Sequence, residues 1–374
     1  MKTKKIVFTG GGTGGHIFPI IAITREIKKL PGSQGTELYY IGPDDQMISD
    51  LLSKEHIKIH PIVSGKIRRY FSFENIIDIF FKIPLGFLQS LFILTLVDPT
   101  IVFSKGGSGS MAVVLAARLL GIPIFLHESD TIPGMSNKVA FPWAKRVFIS
   151  FPKTAYINTQ KTMLTGNPIL KELSGANKER VKAVLGLSSQ KPVLLFLGGS
   201  QGAKPINDFV LGILNELLET YEVLHVCGPK NYIETQKQSS VILRQGLKTY
   251  YHMYKFLNEV ELSNALIAAD LVISRSGSGS IFEIAAFGKP SILIPLPSSA
   301  SDHQSKNAYE YANTGAALVI EQKDLTGNFF LKEIEYMLSS PEKIKKMHEG
   351  ALSFAKPMAA QVIAKEMLEY VNGK

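Results

Sequence analysis

The segment Val102-Phe103-Ser104-Lys105-Gly106-Gly107-Ser108-Gly109-Ser110 returns about 170 residues later as Val272-Ile273-Ser274-Arg275-Ser276-Gly277-Ser278-Gly279-Ser280. Each copy is a short apolar run that stops at a loop of small residues and leads into a segment of helical period, the first half of a βαβ unit. Other short runs, Leu38 to Ile41, Thr100 to Ser104, Ile122 to Leu126 and Arg146 to Ile149, alternate with longer helical segments, as in a parallel sheet covered on both faces. The pattern restarts after Thr165-Gly166-Asn167-Pro168 with a charged helix, Lys178 to Leu185, and a strand, Pro192 to Leu197, that ends at Gly198-Gly199. A chain of 374 residues also exceeds the roughly 250–300 at which single cores stop growing. The spacing therefore predicts an α/β protein of two doubly wound domains facing across a cleft. Residues 1–167 form the first, joined by a returning C-terminal helix at 353–374, and residues 168–352 form the second.

The only cysteine, Cys227, excludes an internal disulfide and reads as a core residue. The apolar run that follows the N-terminal lysines, Ile6 to Phe8, is far shorter than the core of a secretory signal, so the expected location is cytoplasmic. The net charge is +9, and residues 1–150 hold 17 Lys and Arg against 11 Asp and Glu, so most of the excess lies in the first part of the chain. Such a surplus serves nucleic acid, anionic lipid or phosphorylated ligands. The stretch after Lys66, Arg68 and Arg69 favours lipid over nucleic acid: Ile76 to Leu94 is apolar and aromatic around Lys82. Its longest uncharged run, Ile83 to Val97, contains Pro84 and falls below the ~18–20 residues of a membrane span, so it is expected to lie on an anionic membrane surface.

Four loops have the composition of phosphate cradles: Gly10 to Gly15, Lys105 to Ser110, Gly198 to Gly202 and Ser274 to Ser280. Glycine lets backbone N–H groups approach an anion, and the following helix presents its positive end. Gly10, Gly12 and Gly15 satisfy a dinucleotide fingerprint, but the second strand ends in Gly42-Pro43 where that fingerprint needs an acid. Gly198-Gly199-Ser200-Gln201-Gly202 matches a nucleophile elbow, yet the adjacent Asp302 and His303 are poorly placed to act in series. His16, directly after Gly15, can take a proton from a hydroxyl. His56 and His60 lack a third ligand, and glycine amides with a helix dipole can neutralise a diphosphate without the metal that Glu128-x-Asp130 would hold. No metal and no cofactor are expected.

Gly11-Gly12-Thr13-Gly14-Gly15-His16-Ile17-Phe18-Pro19, His127-Glu128, Gly166-Asn167-Pro168, Gly198 to Ala203 and Arg275 through Glu283 occur in an order and spacing that resemble the MurG-type N-acetylglucosaminyltransferases. The resemblance covers nearly the whole chain. It implies a GT-B fold of two Rossmann-like domains, with an acceptor and membrane domain first and a UDP-GlcNAc domain second. The implied reaction is inverting transfer of GlcNAc from UDP-GlcNAc to the C4 hydroxyl of the muramyl sugar of undecaprenyl-linked lipid I, giving lipid II for the peptidoglycan wall. The enzyme would work as a peripheral protein on the cytoplasmic face of the cell membrane. By the same resemblance His16 is the base, with Glu128 as the alternative catalytic group, and Thr13, Gly14, Gly15, Asp130 and Asn137 contact substrate. Ser200 and Gln201 meet the diphosphate, as does the helix start Ser278-Gly279-Ser280-Ile281-Phe282, and Glu283 accepts from the ribose hydroxyls. The Leu257 backbone reads uracil and Gln304 reads the GlcNAc hydroxyls. Leu170 and Lys171 stand where the family usually has an arginine. Another enzyme of this fold, a UDP-GlcNAc epimerase or a lipid glycosyltransferase, and a non-catalytic UDP-sugar sensor are the alternative readings.

Overall fold

Apolar runs without alternation are satisfied by strands covered on both faces, and they build two parallel sheets in the computed structural model, which describes residues 4–12, 14–65, 78–154, 160–170, 177–188, 190–199 and 202–373. The first sheet contains β1 (Lys4–Thr9), β2 (Thr36–Pro43), β3 (Lys58–Ile62), β4 (Ile101–Ser104), β5 (Ile124–Glu128), β6 (Ala144–Ile149) and β7 (Thr162–Leu164), in the order β3-β2-β1-β4-β5-β6-β7. The second contains β8 (Val193–Leu197), β9 (Glu222–Val226), β10 (Tyr251–Tyr254), β11 (Leu271–Ser274), β12 (Ser291–Leu293) and β13 (Ala317–Val319), in the order β10-β9-β8-β11-β12-β13.

In both sheets the chain starts at an interior strand, runs to one edge and crosses back. β4 returns beside β1 with Thr9 opposite Ser104, and β11 returns beside β8 with Ser274 opposite Leu197. The sequence echo therefore falls on topologically equivalent strands, β4 and β11. At such a reversal the loops leaving neighbouring strands diverge and open a crevice at the carboxyl ends.

The chain divides into two compact units, Met1–Leu170 with Lys356–Lys374, and Lys171–Ala355. The division lies just beyond the Asn167-Pro168 turn because Leu170 still packs on the first core. The helix Ala359–Val371 belongs to that core: Ile363, Met367 and Leu368 are buried with Ile17, Ile20 and Ile21 of the helix Gly14–Lys29. At about 1.5–3 kcal/mol for each fully buried side chain, this contact is a large part of what holds the C-terminal helix in place.

The run Ile83–Val97 is a helix, and among the described residues no helix is long and apolar enough to cross a membrane. Gly86, Ser90, Leu94 and Val97 form its buried face. Gly86 has to be small, because a Cβ there would lie 2.1 Å from the Val63 carbonyl oxygen. The opposite face carries Leu85, Leu88, Phe92 and Leu96, which with the preceding Phe81 are between 48% and 70% exposed.

Candidate active site

In the first unit the crevice lies between the loops after β1 and β4. The Lys105 N–H donates to the Thr9 carbonyl and the Gly11 N–H to the Gly106 carbonyl, each at 2.9 Å, so the two loops are laced together. The approach is too close for side chains. A Cβ on Gly107, whose φ is +89°, would lie 2.8 Å from the Gly11 Cα and 3.1 Å from His16 Nε2. His16 occupies the first turn of the helix Gly14–Lys29 and rests on this glycine floor. Pro19 offers no N–H to the Gly15 carbonyl four residues earlier, so that turn is held less by its own ladder. Burial, and then the positive charge of Lys105, push the His16 pKa down to about 3, leaving the ring neutral at physiological pH.

Lys105 is buried directly after β4, and its ammonium donates to the Ser129 hydroxyl. Burial lowers its pKa to about 8, against the opposing charges of Glu128 and Asp130. Glu128 closes β5, and both of its oxygens are taken: Oε1 accepts from the Asp130 N–H at 3.0 Å, while Oε2 accepts from the Gly134 N–H at 3.0 Å and Asn137 Nδ2 at 2.8 Å. Burial first, and then the charge of Asp130, raise its pKa, with the Asp130 N–H, Asn137 and Lys105 working in the other direction. Asn137 also donates to the His127 carbonyl at 3.0 Å, and Ser136 donates to the Gly107 carbonyl at 2.9 Å. Glu128, Asp130 and Asn137 are thus brought together beside Lys105 and the glycine floor, with Glu128 organising a loop.

The second unit repeats the arrangement. Gly198 directly follows β8, and Gly202, with φ +76°, comes so close to the loop after β9 that a Cβ would lie 2.3 Å from the Cys227 carbonyl oxygen. Cys227 is buried. After β11 the buried Arg275 donates through one terminal nitrogen to the Ile294 and Pro295 carbonyls, at 3.1 and 2.9 Å, and through the other to Gln322 Oε1 at 2.6 Å. Ser276 donates to the Gln304 carbonyl at 2.8 Å, and the Gln304 side-chain oxygen accepts from the Leu296 N–H at 3.1 Å. The loops after β11 and β12 and the start of the helix His303–Ala312 are therefore one connected group.

The helix Ser278–Ala286 starts at Gly277 with no side-chain cap, which leaves its first N–H groups without a side-chain acceptor at the N-cap. Among the described residues the buried Ser278 hydroxyl has no hydrogen-bond partner. Gly279 and Ser280 are partly open, whereas the Ile281 and Phe282 side chains are core residues, so only their backbone can face a ligand. Glu283 stands on the same helix, and burial raises its pKa to about 7. Ser301 and Asp302, just before Gln304, both adopt φ of +57°, an uncommon left-handed pair for residues with side chains. Leu257 is buried ahead of the helix Glu259–Ala268, whose first turn is held by an Asn258–Glu261 capping box.

Thr13, Ser200, Gln201, Lys66, Arg68, Arg69 and Lys171 lie outside the described residues. Lys82 is paired with the buried Asp78 at 2.7 Å, which offsets its charge. His56 occupies the turn before β3, and His60, in that strand, stacks on Tyr39 at 5.9 Å, which separates their roles. Among the described residues no cluster of three or more His, Cys, Asp or Glu could hold a metal ion. Lys105 and Arg275 were not singled out from the sequence. The available signal was a full charge directly following a wholly buried strand.

Residues 6–149 match the model of the glycosyltransferase family 28 N-terminal domain, and residues 193–363 match that of its C-terminal domain. A UDP-N-acetylglucosamine--N-acetylmuramyl-(pentapeptide) pyrophosphoryl-undecaprenol N-acetylglucosamine transferase of Clostridium tetani is 39% identical over 351 residues, covering 93% of this chain and 94% of the relative. The crystal structure of Acinetobacter baumannii MurG superposes with a TM-score of 0.74 at 26% identity, covering 97% of this chain and 99% of the other. A UDP-GlcNAc 2-epimerase from Neisseria meningitidis, bound to UDP-GlcNAc, shares the fold with a TM-score of 0.67 at 15% identity, covering 98% of this chain and all of its own.

Proposed function

The chain belongs to the MurG-type members of glycosyltransferase family 28, and on that premise we propose that it transfers GlcNAc from UDP-GlcNAc to the muramyl sugar of undecaprenyl-linked lipid I, forming lipid II. The first unit handles the acceptor and the second handles the donor. The observation that carries the assignment of roles is the neutral His16 on its glycine floor beside Lys105.

His16 takes the proton from the C4 hydroxyl of the acceptor, which then attacks the anomeric carbon with inversion. A ring whose pKa is about 3 is a weak base, but part of that depression comes from Lys105. The acceptor's phosphates, paired with Lys105, cancel that charge and raise His16 toward the working range. Glu128 is a positioning residue in this scheme, because its oxygens are already engaged by the loop that carries Asp130 and Asn137.

As the glycosidic bond breaks, negative charge grows on the departing UDP. The N–H groups of Ser278, Gly279 and Ser280, at a helix N-terminus, are preorganised for that charge, as is the Ser278 hydroxyl, and Ser200 and Gln201 contribute from the neighbouring glycine loop. This stabilisation is larger in the transition state than in the ground state, so it lowers the barrier without a metal. Glu283 accepts from the ribose hydroxyls, the Leu257 backbone reads uracil and Gln304 reads the GlcNAc hydroxyls. The exposed apolar face of the helix Ile83–Val97, with Phe81, docks the protein on the cytoplasmic leaflet that holds the lipid acceptor.

The test is transfer of labelled GlcNAc to a short-chain lipid I analogue, with and without a chelator, by the parent and by His16→Ala. Turnover by the parent in chelator, and a loss of about 100-fold or more in the variant with UDP-GlcNAc binding kept, is the expected result. Binding of UDP-GlcNAc without transfer by the parent would overturn the reading, and normal turnover by the variant would remove His16 from it.

A further inference from the structure

We propose that the first unit carries a second ligand site, for a phosphate group, at the opposite end of its sheet from the catalytic loops. A cavity of about 380 Å³ opens at the amino ends of β5 and β6, lined by Arg118, Trp143, Lys145, Lys161 and Tyr370 together with the chain around Ile122–Ile124. That volume falls within the range of small-ligand sites. Ile124 opens β5 and Glu128 closes it, so the cavity is about 13 Å along that strand from the Glu128 loop.

The lining is one-sided in its chemistry. Every polar side chain in it is a hydrogen-bond donor, and none is a carboxylate. Lys161 donates to the Pro142 carbonyl at 3.5 Å, while Arg118, Lys145, the Trp143 indole N–H and the Tyr370 hydroxyl have no partner among the described residues. The nearby acids are already committed, Glu366 to Arg146 at 3.6 Å and Glu369 to Lys365 at 3.7 Å. Three cations around one concavity repel each other, and an acceptor-rich anion relieves that repulsion and uses the open donors together. A phosphate fits both demands, with Arg118 able to bind it through two parallel N–H groups. One wall is anchored in the core: Tyr370 packs edge-on against the buried Phe125, with ring centres 5.2 Å apart.

Trp143 is the only tryptophan in the chain, so its fluorescence reports on this cavity alone. The full-length protein is titrated with inorganic phosphate, glycerol 3-phosphate, phosphatidylglycerol vesicles and potassium chloride at matched ionic strength. A saturable change with either soluble phosphate supports a site for a free phosphorylated ligand; a saturable change with phosphatidylglycerol alone supports the same site filled by a lipid headgroup. In either case Arg118→Ala with Lys145→Ala raises Kd at least about tenfold, Arg118→Lys with Lys145→Arg retains binding, and His16→Ala binds as the parent does. No saturable change with any probe overturns the proposal, as does a change that chloride reproduces or that the double alanine variant keeps at parental affinity.

Discussion

Glu283 offers a test of the donor site that does not depend on turnover. Burial raises its pKa to about 7, and on the proposed assignment the ribose hydroxyls of the donor need its ionised form as acceptor. A carboxyl with that pKa is ionised in about nine tenths of the molecules at pH 8, one half at pH 7 and one tenth at pH 6. A ligand that selects the ionised form therefore binds roughly tenfold more weakly at pH 6 than at pH 8, about 1.4 kcal/mol, and takes up no proton in doing so. UDP-GlcNAc suits the measurement because its diphosphate is esterified at both ends and has no ionisation of its own in this interval. Calorimetric titration of the parent from pH 8 to pH 6 should show that decline, with proton release on binding that grows as the pH falls. Glu283→Gln should bind weakly at every pH and lose the slope. A parent affinity that is flat across the interval, or an equal slope in the variant, would refute the assignment of Glu283 to the ribose.

Exchanging Leu88 and Phe92 for serine removes two exposed apolar side chains, each worth about 1.5 kcal/mol or more when moved from water into lipid. Sedimentation with vesicles should show at least a tenfold loss of binding, at unchanged melting temperature and unchanged transfer to a water-soluble acceptor. Gly202→Ala places a methyl at φ +76° within 2.3 Å of the Cys227 carbonyl oxygen, so denaturant unfolding should report a loss of about 2 kcal/mol or more. His225 is buried with its pKa lowered to about 4, whereas an unfolded chain protonates it near ~6.5. Between these values the unfolded state binds the extra proton, so stability falls with pH and His225 alone should remove about 2 kcal/mol by pH 5. The difference in stability between pH 7 and pH 5 should shrink by that amount in His225→Gln.

The strands were legible because a buried parallel strand has a simple signature, a short run of mostly apolar residues with no polar alternation that stops at a loop rich in glycine and serine, and β1, β4, β8 and β11 all carry it. The loops were legible only as places. Nothing in the order of Glu128, Asp130, Gly134 and Asn137 announces that one carboxylate gathers the other three, because that depends on where the backbone N–H groups point once the loop closes. The helix Ile83–Val97 shows a related limit: it is apolar all round, so its sequence has no polar face to mark the side left open, and the exposed side is decided by where Gly86 lets it sit close against Val63 and against Ala112 of the helix Met111–Leu119. Lys105 and Arg275 were hidden for a different reason. They occupy corresponding positions, each the first residue after the strand that returns to the centre of its sheet, and each is a buried cationic side chain. Their solutions diverge. Arg275 spends its terminal nitrogens on the carbonyls of Ile294 and Pro295 and on Gln322, which makes it a brace for the loops after β12 and β13. Among the described residues the Lys105 ammonium is met only by the Ser129 hydroxyl, with the charges of Glu128 and Asp130 acting on it from nearby, so on the proposed mechanism its field is what an incoming anion meets beside His16.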